Sequence, residues 1–94
     1  MATAYIQNDS SDGTTLTLTS GSGTDAPASI PPDQTVTFDL PNDVEVKYQI
    51  GNKGKFSLSV TKDVIIFVGF MGTFNGQTET DVSASPARAQ IYIS

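Results

Sequence analysis

Eight aspartates and two glutamates are the chain's only side chains suited to acid–base work near neutral pH, because it holds neither histidine nor cysteine. Without imidazole or thiol, a serine nucleophile lacks its usual base, and cysteine nucleophiles and His-containing zinc sites are excluded. Paired carboxylates could cleave a glycoside only across a substrate cleft that holds them apart. The acids here fall mostly in turn-forming sequence, where Asp bonds its own backbone. The chain is therefore read as non-enzymatic, with no metal and no cofactor implied.

Two segments resemble ligand loops in composition and fail on spacing. Asn8-Asp9-Ser10-Ser11-Asp12-Gly13 sets oxygen donors at alternate positions before a glycine, as an EF-hand loop begins. The position that should supply the bidentate glutamate is Thr19, so an Asx-type turn is expected instead. Ser20-Gly21-Ser22-Gly23-Thr24 is not followed by a lysine or a helical pattern, and reads as a flexible connection.

The formal charge is -5. Lys47, Lys53, Lys55 and Lys62 lie close together in sequence and Arg88 stands alone. Nucleic acid requires a dense cationic patch and is not expected as a partner. The lysines suit either an anionic headgroup at a membrane surface or solvation around a hairpin.

Positioning falls to strands. Apolar residues alternate with polar ones at Leu16/Leu18, at Val36/Phe38/Leu40, at Val44/Val46/Tyr48/Ile50, at Phe56/Leu58/Val60 and at Ile91/Ile93. A first strand is expected near Ala4–Gln7. No window shows a helical stripe, and turn residues separate the alternating windows. The reading is all-β: residues 1–94 as a single antiparallel two-sheet β-sandwich of about seven strands, with a small barrel as the alternative. Gly21 to Asp33 is expected to cross between sheets, and Asn75 to Pro86 is read as loop. Thr15, Thr17, Thr19, Thr35 and Thr37, with Ser57, Ser59 and Thr61, give the outer faces small hydroxyls, suited to sugars or ordered water or simply to solvent-facing strands.

One segment departs from alternation. Val64 to Phe74 reads V-I-I-F-V-G-F-M-G-T-F, apolar on both faces of any strand it forms. As a helix it would span roughly 16 Å, against about 30 Å of bilayer hydrocarbon, so no transmembrane helix is expected. Neither does Met1-Ala2-Thr3-Ala4 open a signal peptide, which points to a protein that is cytoplasmic or released without one. A central strand Val64–Val68 or Val64–Phe70, covered on both faces, is predicted, followed by a loop from Phe70 to Gly76.

Tyr5-Ile6-Gln7-Asn8, the Thr14–Thr19 strand, the Pro27/Pro31/Pro32 crossover, T-V-T-F and V-x-Y-x-I leading into S-L-S-V cover about half the chain. In that order they resemble the small aegerolysin-type and actinoporin-like sandwiches. The resemblance implies a β-sandwich that binds membrane lipid or takes part in pore formation, and it assigns no residue. Members of that family carry tryptophans, and this chain has none.

The expected function is lectin-like or cytolysin-like binding of a glycan or a lipid headgroup by loops at one end of the sandwich. Phe70, Met71, Phe74 and Asn75 are the first candidates, with Tyr48, Tyr92, Lys53 and Lys55 behind them. The alternative is a structural protein that forms a homo-oligomer through the second apolar face at Ile65 and Phe67.

Overall fold

A computed structural model describes all 94 residues as nine strands without a helix. These are β1 (Ala2–Asn8), β2 (Leu16–Ser20), β3 (Ser29–Ile30), β4 (Gln34–Leu40), β5 (Glu45–Ile50), β6 (Gly54–Thr61), β7 (Ile65–Gly72), β8 (Gly76–Asp81) and β9 (Ala87–Ile93). One sheet has the order β4-β1-β9-β8 and the other β3-β2-β5-β6-β7. Neither closes into a barrel, and together they make a β-sandwich. Every pairing is antiparallel except β1 with β9.

Alternation decides which side chains go inward. Ala2, Ala4 and Ile6 of β1, Val46, Tyr48 and Ile50 of β5, and Phe56, Leu58 and Val60 of β6 are buried, while their polar neighbours face outward. Seventeen buried hydrophobic residues drawn from both sheets form one contiguous core. Burial of this apolar surface is the main force holding the two sheets together.

Asn8, at the end of β1, is fully buried and is one of two buried polar residues, the other being Ser10. Its amide Nδ2 donates to the Thr14 and Ile30 carbonyls, each at 2.9 Å, and its Oδ1 accepts from the Ser10 amide at 3.2 Å. One fully buried side chain thus fixes where the first turn leaves β1 and where β3 runs past it. The rest of the Asn8–Gly13 segment is an Asx turn: Asp12 Oδ1 accepts from the Thr14 amide at 3.2 Å and from its hydroxyl at 2.6 Å.

The structure corrects several expectations, the first being that all pairing is antiparallel, since the N-terminal and C-terminal strands β1 and β9 run side by side in parallel. There are nine strands, not seven, because β3 lies within the Gly21–Asp33 crossover and β8 within the segment read as loop. The apolar run is not a central strand. It is β7, at the end of the five-stranded sheet and paired only with β6. It also runs on through Phe70 and Met71 to Gly72, where a loop was expected.

Candidate functional site

β7 has one face for the core and one for solvent. Ile66, Val68 and Phe70 point inward and pack against the buried cluster. Phe70 extends an aromatic row that crosses three paired strands: Tyr48 and Phe56 stack at 5.6 Å, Phe56 meets Phe70 at 6.0 Å and Phe70 meets Phe74 edge-on at 5.6 Å. Gly54 and Gly76 make room for the last ring, since a Cβ on either would press against Phe74. Phe70 and Phe74 therefore cap the sandwich end instead of projecting from it.

Tyr48, another candidate, is fully buried and its hydroxyl donates to the Pro27 carbonyl at 2.7 Å. Desolvation pushes its pKa up to about 12, so the phenol stays neutral and offers no face to a ligand. Tyr92 lies on the outer face of the other sheet, its ring 6.1 Å from Tyr5 and its hydroxyl 2.7 Å from the Gln90 side-chain amide. Asn75 is exposed beyond the end of β7, where its carbonyl accepts from the Ser94 amide. These residues do not converge.

Met71, Lys53 and Lys55 do. Met71 is paired directly with Lys55 across β6 and β7, and Lys53 precedes them in the β5–β6 hairpin. Met71 and Lys55 line a groove of about 360 Å³ on the outer face of the five-stranded sheet, and Lys53 stands outside it. Ser57 and Gly69, a cross-strand pair, make its floor. Phe67 and Glu45 stand on one side, Met71 and Lys55 on the other, and Lys47 reaches in from β5. The Phe67 ring leans over Gly69, with Cε1 3.5 Å and Cζ 3.8 Å from where a Cβ would be.

The charges there are unequally committed. Lys47 pairs with Glu45 at 3.3 Å. Lys53 bonds Asp12, and with the Thr14 donors it holds that carboxyl down to about 2. Lys55 has no ion-pair partner within 4.0 Å. The site thus carries two cations and one carboxylate in a chain with twice as many acids as bases.

The other feature is the rim of β7. Ile65, Phe67 and Met71 are 56, 60 and 62 % exposed, and no strand pairs with the backbone on their free side. The sandwich has four sheet edges, and the other three are blunted. β3 is two residues long, between Pro27 and Pro31. β4 carries an exposed Asp39 and ends at Pro41, and β8 carries Glu79 and Asp81. β7 has eight residues and no charge. Short length, proline and charge within the strand are the usual guards against edge pairing, and β7 alone has none of the three, its nearest charges being Lys62 and Asp63 in the turn before it.

The sequence offers Phe67 only as an oligomer contact and Ser57 only as one of several outer-face hydroxyls, and it does not single out Gly69 or Glu45 as site residues. The signal was present: residues 65, 67, 69 and 71 share one strand face, and so do Lys47, Lys55 and Ser57 on their strands. No family model, curated protein or solved structure matches the chain.

Proposed function

We propose that this is a non-enzymatic assembly protein that joins a second copy of itself through the free edge of β7. The observation that carries the reading is the contrast among the four edges: three are blocked, and the fourth is long, uncharged and apolar on its outward face. A β-sheet edge of that kind exposes a row of N–H and C=O groups that a second strand can satisfy.

A second copy fits the charge and shape of the edge. Two acidic chains repel one another through most of their surfaces, whereas β7 brings an uncharged stripe backed by Lys47 and Lys55 to the seam. Antiparallel pairing about a two-fold axis at Val68 sets Ile65 opposite the partner's Met71 and Phe67 opposite the partner's Gly69. Only registers that pair odd positions with odd keep the apolar side chains of both strands on the same face. This one also sets Phe67 across from the partner's Gly69, where the missing side chain leaves room at the seam. The result is one continuous sheet running through both molecules, closed by symmetry.

Ile65→Lys places a charge on the seam and leaves the core untouched, since Ile65 is more than half exposed. The wild-type chain is expected to sediment as a dimer whose proportion rises with concentration, while Ile65→Lys sediments as a monomer with an unchanged melting temperature. A monomeric wild type at high micromolar concentration, or an Ile65→Lys chain that dimerises as well, would refute the reading.

A further inference from the structure

The groove above Gly69 and Ser57 shares Phe67, Gly69 and Met71 with the β7 seam, but it also carries Ser57, Lys55, Lys47 and Glu45, which edge pairing does not use. Pairing uses the rim of β7, in the plane of the sheet; the groove opens out of that plane, above β5, β6 and β7. Its volume of about 360 Å³ lies within the roughly 300–1,000 Å³ of small-molecule sites. Phe67 leans toward the glycine through Cε1 and Cζ, and 60 % of the residue is exposed. An exposed aromatic ring beside a shallow floor is suited to the C–H face of a pyranose ring.

The polar groups around that platform narrow the ligand. The Ser57 hydroxyl lies at the floor, 3.5 Å from where a Gly69 Cβ would be. Glu45 is occupied by Lys47, so the groove's uncommitted charge is the Lys55 ammonium. A neutral sugar would leave that cation without a counter-charge. A sugar bearing one carboxylate would supply it, and each neutral hydroxyl would find Ser57 or the Glu45–Lys47 pair.

We infer that the outer-face groove of β5–β6–β7 binds an acidic sugar of the uronate class, with Phe67 stacking on the ring and Lys55 holding the carboxylate. The inference does not rest on β7 pairing, and Ile65, the residue changed to block pairing, does not line the groove.

The test is a titration with an oligogalacturonate, followed by amide chemical shifts on the wild-type chain and on Ile65→Lys. Saturable shifts are expected at Ser57, Gly69 and Met71 in both chains, weakening as salt is raised. Lys55→Gln should weaken binding roughly fivefold, as loss of one exposed ion pair does. Phe67→Leu keeps an apolar residue at the edge but removes the stacking face, and should weaken binding while wild-type sedimentation persists. Four outcomes would overturn the inference: no saturable shift, equal affinity for an uncharged cello-oligosaccharide, full binding by both variants, or equal dependence on Lys55 and Phe67 for phosphatidylserine vesicles. Loss of dimerisation with retained sugar binding would refute the assembly reading alone.

Discussion

Gly72→Ala is expected to cost about 3–5 kcal/mol, lowering the melting temperature of a domain this small by roughly 12–40 °C. Gly72 ends β7 on the inner face, opposite Gly54 of β6, with φ at 126°. An added Cβ would press into the Lys53 carbonyl oxygen and sit 2.5 Å from the Gly54 Cα. Both obstacles are backbone, so no rotamer change relieves them, and the dihedral is one that an L-residue with a Cβ avoids. Thr73 donates to that same Lys53 carbonyl at 2.9 Å, so the strain reaches the bond that closes this end of the hairpin.

Two other glycines separate the causes. Gly13 has φ 79° with open space around it, so Gly13→Ala carries only the dihedral penalty, about 1–2 kcal/mol. Gly69 has no left-handed dihedral and only ordinary contacts at 3.5 Å, so Gly69→Ala is expected to change stability by less than about 1 kcal/mol. Thermal melts of the three variants should fall in that order. A Gly72→Ala chain as stable as Gly13→Ala would mean that the close approach of β6 and β7 at this point is not real.

Asn8→Leu is the second large loss, again about 3–5 kcal/mol. Leucine roughly matches asparagine in size but removes two donated hydrogen bonds and one accepted one. The Ile30 carbonyl and the Ser10 amide then lose a partner in a buried site and the Thr14 carbonyl in a part-buried one, at about 1–3 kcal/mol for each buried group left unsatisfied. Part of this is recovered because Ser10 Oγ also donates to the Thr14 carbonyl, at 2.9 Å. Asn8→Asp discriminates further: its carboxylate still accepts from Ser10 but cannot donate to either carbonyl and faces both with like-signed charge. Denaturant unfolding should therefore place Asn8→Asp at or below Asn8→Leu at neutral pH. Near-wild-type stability of either variant would show that β3 is not anchored through this side chain.

How much of this was legible in the sequence depends on what alternation can encode. Val46/Tyr48/Ile50 and Phe56/Leu58/Val60 announce their buried face because every second residue is apolar, and both windows became strands facing the core. β8 was invisible for the opposite reason: Q-T-E-T-D is polar on both faces, and even Thr78 and Thr80, which pair with the buried Ile91 and Ala89, are exposed. β3 has two residues, too few for any period.

The apolar run shows a deeper limit. Two apolar faces on one strand say that both need covering, but not by what. A central strand and an unguarded edge strand have the same pattern, and only the pairing order tells them apart. The candidate site failed by the same parity. Phe70 and Met71 are successive residues, and once β7 extends through both they must point to opposite faces, one to the aromatic core and one to the groove.

The edge itself can be read directly, because a chain without cysteine accepts single thiols as unambiguous probes. Ile65→Cys and Met71→Cys chains are mixed in equal amounts and oxidised. In the antiparallel register about Val68 these positions face each other across the seam, at the Cα separation a disulfide requires, while like positions lie roughly 20 Å apart. The mixture should yield the mixed disulfide dimer well above either homodimer. Cross-linking no better than that of Thr80→Cys on the acidic β8 edge would contradict the pairing of β7.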